Sequence, residues 1–188
     1  MAERVKTIEM ICAEITKSCL DNAAAIGRKD YPFAPRPKVG RSYTPYQSIL
    51  IFLRDGFIDR YSGERLIFPG TLNLLGSILP NEFPWHPHGK LTESHIIYWE
   101  LFPTIDHFIP VTRGGVDDET NWVTTSMLRN QAKLHWTLDE LGWQLYDSGN
   151  LKEWDGLMNW FLEYANAHRE VLSRSHIKRW YDAAIRIS

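Results

Sequence analysis

Asp106 and His107 stand side by side in TIDHFIPVTRGGVDDETNW (104–122), a stretch with more polar residues than an ordinary hairpin needs. A carboxylate is a hard oxygen donor, and an imidazole is the side chain whose ordinary pKa lies nearest neutrality. Asn121 and Asn130 follow 14 and 23 positions after the histidine. An amide oxygen is a second hard donor, so Asp106 and Asn130 together suit Mg2+, which prefers oxygen and keeps several waters. Beside such a cation, His107 could take a proton from water while the metal neutralises charge developing on a phosphate. That chemistry is phosphoester hydrolysis.

These residues need elements to bring them together. Ile105 to Val111 alternates as a strand, Gly114-Gly115 gives the backbone freedom of a turn, and Trp122 to Thr125 can return antiparallel. From Met127 a helix carries Asn130 and Lys133, with Thr125 or Ser126 as a suitable N-cap. The predicted unit is strand, loop, strand, helix. Adjacent side chains on a regular strand point to opposite faces, so a bulge or local twist is needed for Asp106 and His107 to serve one site.

The stretch DHFIPVTRGGVDDETNWVTTSMLRN, with Asp-His, a proline three residues on, Gly-Gly, Asn121 and Asn130, resembles the HNH or ββα-metal endonucleases. The strong likeness runs from Asp106 to Lys133. It implies an α+β fold in which a hairpin-plus-helix nuclease core is embedded in additional N- and C-terminal helices. It also implies that Asp106 and Asn130 hold one divalent cation, Mg2+ first and Mn2+ second. His107 would be the general base, and Asn121 would fasten the loop and help to orient it. Lys133, Arg113 and Arg129 are candidate contacts to nucleic acid. The implied activity is metal-dependent cleavage of DNA, leaving a 5′ phosphate and a 3′ hydroxyl, of a kind that serves restriction or phage defence.

The chain departs from the family at its zinc knuckle. IDRYSGERL (58–66) sits where many members carry CxxCG, but Asp59 and Ser62 occupy the cysteine positions, and Ser126 and Arg129 fill the second pair's places. A structural zinc is therefore not expected, and packing must replace it, through the inserted 64–105 segment and the flanking helices.

The organisation follows from this centre: an N-terminal helix and basic arm (1–45), a nuclease core with its insertion (46–145), and a C-terminal helical segment (146–188). Val5, Ile8, Ile11, Cys12, Ile15 and Cys19 form one helical stripe that Gly27 ends. Residues 28–46 carry Arg28, Lys29, Arg36, Lys38 and Arg41 among four prolines, either a solvated linker or an arm along a phosphate backbone. Residues 46–70 begin as a short helix or a buried strand, 70–95 read as loop, and 151–187 as helices broken near Ser173–Ser175. His86, His88 and His95 read as surface loop, with substrate contact or metal binding as alternatives. Arg174, Lys178 and Arg179 lie on a solvated helix face or grip a DNA backbone.

Of 188 residues, 44% are hydrophobic and 23% charged, which fits a globular chain and excludes a disordered one. No apolar run is long enough for a membrane span, and the amino terminus lacks a secretory core. Cys12 and Cys19 lie two helical turns apart, about 10 Å, too far for a disulfide within one helix, and read as reduced thiols of a cytoplasmic protein. The net charge is −2, unlike most nucleic-acid binders, but it is uneven. Residues 1–50 hold eight Lys/Arg against five Asp/Glu, and residues 101–150 hold three against seven. An acidic centre with basic flanks suits a cation site beside phosphate-gripping arms. DNA is the expected partner, with no membrane and no small-molecule cofactor. Cutting both strands calls for a homodimer, through the aromatic C-terminal helices, or for two nicks. A non-catalytic DNA-binding module of the same fold and an RNA-directed or toxin-like nuclease are the alternatives.

Overall fold

The helical stripe that runs from Val5 to Cys19 is interrupted in the computed structural model, which describes residues 2–33, 43–86 and 89–187, with side chains from Arg4 onward. Helix α1 spans Ala2–Thr16 and α2 spans Leu20–Asp30. Between them Ser18 takes φ +60°, its N–H donates to Ile15 O, and Cys19 N–H reaches back to Glu14 O. This pair of bonds closes a helix end around one left-handed residue, with serine where glycine is usual. Gly27, expected to end the helix, lies inside α2. Cys12 and Cys19 are both free and exposed. Residues 1–40 form one compact unit and 41–188 a second. Arg36, Lys38 and Arg41 lie outside the described residues.

The second unit begins with α3, Pro45–Arg54, whose first turn is closed by a reciprocal Thr44–Gln47 capping box with proline at the first position. After a lone bridge between Ile58 and Arg65 comes α4, Pro69–Ile78. The sequence reads this stretch as loop, yet Pro69 through Leu74 are all buried. Short α5 (Ile97–Glu100) leads into β1, Pro103–His107. The strand starts earlier and stops sooner than the alternation suggests, because Pro110 begins a 3₁₀ turn over Val111–Arg113. Then β2, Trp122–Ser126, pairs antiparallel with β1, setting Asp106 opposite Val123 and His107 opposite Trp122. Ser126 caps α6, Met127–Lys133, by accepting from Arg129 N–H. Helices α7 (Leu138–Leu141), α8 (Met158–Ala167) and α9 (Ser175–Ala184) follow, with a 3₁₀ turn at Arg169–Ser173 where the break is expected.

The fold of this unit is mixed helix and sheet. The hairpin lies between α3, on the face of Ile105, His107 and Trp122, and α6, on the face of Asp106 and Val123. Helix α9 packs on α3, and α4 and α8 pack on α9 and on each other, so residues 146–188 share the core with 46–145. Phe52, Phe57, Phe68, Phe161 and Ile177 are almost wholly sealed, and Phe68 meets Phe161 and Trp180 edge-on at 5.3 and 5.8 Å. Each such side chain contributes about 1.5–3 kcal/mol by leaving water, so this aromatic cluster is the anchor on which the hairpin rests. Among the described residues no helix is long and apolar enough to cross a membrane.

Candidate functional site

Period-two alternation decides the first point of geometry. β1 is paired regularly through His107, without a bulge, so Asp106 and His107 project to opposite faces of the ribbon. The local distortion that would bring them onto one face is absent.

On the Asp106 face, Lys133 reaches up from the end of α6. Its side chain is fully buried, and Nζ donates to Asp106 Oδ2 at 2.8 Å and to the His107 carbonyl at 2.7 Å. Tyr61 donates its phenolic O–H to the same Oδ2 at 2.7 Å, and its ring lies 5.5 Å from the ammonium. Burial, reinforced by the Asp106 carboxylate, pushes the phenol far above its ordinary range, so Tyr61 remains a donor. The expectation that Lys133 touches phosphate is overturned: its charge is committed to Asp106 inside the protein. Asn130 lies on the same face, donating Nδ2 to Ile105 O at 3.2 Å. Asp106 Oδ1 and Asn130 Oδ1 accept no hydrogen bond among the described residues, and neither belongs to the atoms sealed from solvent without a partner.

On the other face, His107 Nε2 sits 2.6 Å from Asp117 Oδ1, and Trp122 Nε1 is 3.2 Å from each of those two atoms. The imidazole side chain is 6% exposed. Its Nδ1 has no partner among the described residues and is likewise not sealed.

Asn121 ties the loop that links these groups. Its Oδ1 accepts from Ile109 N–H, and its Nδ2 donates to Ile109 O and Val116 O, each at 2.8 Å. That uses both ends of the amide, so Asn121, which the sequence groups with His107 in catalysis, acts on the loop. Gly115 has to be glycine, since a Cβ there would lie 1.9 Å from Ile109 O and 2.7 Å from Asn121 Nδ2. Gly114 turns the chain at φ +92°.

Beneath the hairpin, the residues at the knuckle positions bond to one another. Asp59 is fully buried; its Oδ2 accepts from Ser126 N–H at 2.9 Å, and its Oδ1 accepts from the Thr125 hydroxyl and Tyr61 N–H at 2.9 Å. Arg129 Nε lies 3.6 Å from Asp59 Oδ2, with its guanidinium 3.7 Å from Glu64 and over the Trp143 ring. Asp55, four residues earlier in the chain, is also fully buried, accepting from Thr124 N–H and pairing with Arg54 and Arg60. These carboxylates join the segment before the hairpin to β2 and α6.

Arg113 pairs with Glu140 at 3.1 Å, and both Arg113 and Arg129 keep about a third of the side chain exposed, 33% and 34%. Elsewhere, His86 sits 3.5 Å from Glu93 and His95 Nδ1 accepts from Ile97 N–H, while His88 lies outside the described residues. Neither joins the Asp106 or His107 cluster.

Sequence reasoning missed Tyr61, Asp117 and the role of Trp122. Trp122 was open to discovery as the cross-strand partner of His107. Asp117 lay hidden in an acidic run that looks solvated. Comparisons with protein-family models, with curated proteins and with solved structures find no match.

The Asp106 face offers one carboxylate oxygen and one amide oxygen, both unclaimed and both hard donors of the kind a divalent cation takes, while the described residues contain no group of three or more His, Cys, Asp or Glu side chains that could hold a metal ion. The carboxylate's charge is already matched by Lys133, so these two oxygens alone hold a cation weakly.

Proposed function

We propose that the strand–loop–strand–helix unit is the catalytic centre of an HNH-type, metal-dependent DNA endonuclease. One observation carries the reading. Asp106 Oδ1, Asn130 Oδ1 and His107 Nδ1 have no hydrogen-bond partner among the described residues and are not among the atoms sealed from solvent.

The opposite facing of Asp106 and His107 sets the substrate's path. Among the described residues the sheet has two strands, and the outer carbonyls of β1 are taken by α6 side chains, Asn130 on Ile105 O and Lys133 on His107 O, so a phosphate would have to be met from opposite faces of the ribbon. Asp106 and Asn130 would hold a divalent cation, which supplies neutralisation of charge developing on the phosphoryl oxygens. His107 takes the proton from a water as its oxygen bonds to phosphorus, the bond to the 3′ oxygen breaks, and that oxygen takes a proton from a solvent water. The products are a 5′ phosphate and a 3′ hydroxyl. Arg113 and Arg129 would contact the flanking backbone.

The deciding experiment incubates wild type and His107→Ala with supercoiled plasmid, single-stranded DNA and RNA, with Mg2+, Mn2+ or chelator. Wild type should nick plasmid only with a divalent cation, and the variant should lose about 10²–10⁴-fold in rate. Equal rates would remove the general base and the reading with it. A non-catalytic DNA-binding module is the second reading, favoured by the Lys133 ammonium already paired with Asp106. DNA binding without cleavage in any cation would select it.

A further inference from the structure

We propose that Asp117 is the positioning residue that fixes the tautomer of His107 and so makes Nδ1, not Nε2, the atom that takes the proton. This deepens the reading of His107 as a base and rests on it for its catalytic meaning.

The argument is a count of protons. Asp117 Oδ1 and His107 Nε2 are 2.6 Å apart, a distance at which two lone pairs repel, so a proton lies between them. A carboxylate in contact with an imidazole leaves that proton on nitrogen, hence Nε2 is the N–H in either charge state of the ring. Trp122 Nε1 can only donate, and with Nε2 protonated its available acceptor is Asp117 Oδ1, at 3.2 Å. The carboxylate is therefore held by two donors. The lone pair of a neutral His107 then sits on Nδ1, the nitrogen without a partner.

The loop explains how an exposed residue keeps this geometry. Asp117 follows Val116, whose carbonyl is bound by Asn121, and Asn121 also binds both backbone groups of Ile109. Asn121 thus acts on His107 through Asp117. The neighbouring Asp118 takes a different task, accepting from the Thr120 backbone N–H and hydroxyl.

The test reads the tautomer and the rate separately. Nitrogen-15 spectra of the full chain at about pH 8, where an ordinary imidazole is neutral, should show His107 protonated at Nε2. In Asp117→Ala both tautomers should appear. In the plasmid assay that variant should lose about 100-fold or more in kcat, with KM within about threefold, because the substrate still meets the same surface. Asp118→Ala, the control for a loosened loop, should stay within about threefold of wild type. Protonation at Nδ1 in wild type, or an Asp117→Ala chain with unchanged tautomer and rate, overturns the proposal. The spectra need no substrate, so the expected tautomer in a chain that cleaves nothing sinks the nuclease reading alone.

Discussion

Lys133 sets its ammonium 2.8 Å from Asp106 Oδ2 with the whole lysine side chain buried. A buried pair of this kind adds little net stability over an apolar pair, but removing one partner strands the other's charge. Lys133→Met should therefore cost about 3–5 kcal/mol, read as a lower denaturant midpoint in urea. A midpoint within error of wild type would show that Asp106 finds water or another donor instead.

The same contact bears on the proposed cation. With its carboxylate neutralised by Lys133, the free protein should bind Mg2+ only weakly, and titration calorimetry should show no tight site. DNA should lower the Mg2+ concentration needed, because phosphate oxygens complete the coordination shell. Asp106→Ala and Asn130→Ala should each raise the Mg2+ concentration that gives half-maximal cleavage. Tight binding by the free protein would contradict this account of the charges.

Asp59 holds the segment before the hairpin to β2 and α6. Its carboxylate accepts from Ser126 N–H, Tyr61 N–H and the Thr125 hydroxyl, and all three would lose their acceptor in Asp59→Ala. Each stranded buried donor costs about 1–3 kcal/mol, enough together to unfold a chain of ordinary stability. Asp59→Asn, which keeps an acceptor oxygen, should be milder. Chelator should leave the melting temperature of the wild type unchanged, and a fall on chelation would reveal a bound ion that supports the fold.

What the sequence made legible follows from which forces are local. The hairpin and α6 could be read because alternation, the Gly114-Gly115 turn and the Ser126 cap each act within a few residues. Helix α4 could not. PGTLNLLGSI mixes proline and glycine with apolar residues and is buried on nearly every side, so it shows no amphipathic stripe. The break at Ser18 was hidden for the opposite reason, since the apolar spacing continues across it. Lys133 and Asp117 show the limit at the site itself. A lysine at a helix end resembles a phosphate contact until tertiary packing buries it. An aspartate in an acidic run resembles solvated charge until a loop carries it to His107.

His176 gives a pH dependence that the fold imposes away from the candidate site. Its ring stacks on Trp85 at 5.5 Å, its Nε2 lies 3.3 Å from Ser77 Oγ, and its backbone carbonyl accepts from Asn73. Burial, with Arg174 and Arg179 nearby, lowers its pKa below the ordinary 6.5. The folded state therefore favours the neutral ring, and the unfolded chain binds more protons once the pH drops below 6.5. This contribution to stability is present above pH 6.5 and is lost as the pH falls through the folded-state value. His176→Asn removes the titrating group while leaving the backbone bond from Asn73 in place. Its melting temperature should fall less steeply than that of wild type between about pH 7 and pH 5. Parallel slopes for the two proteins would mean that His176 is as easily protonated in the fold as in water.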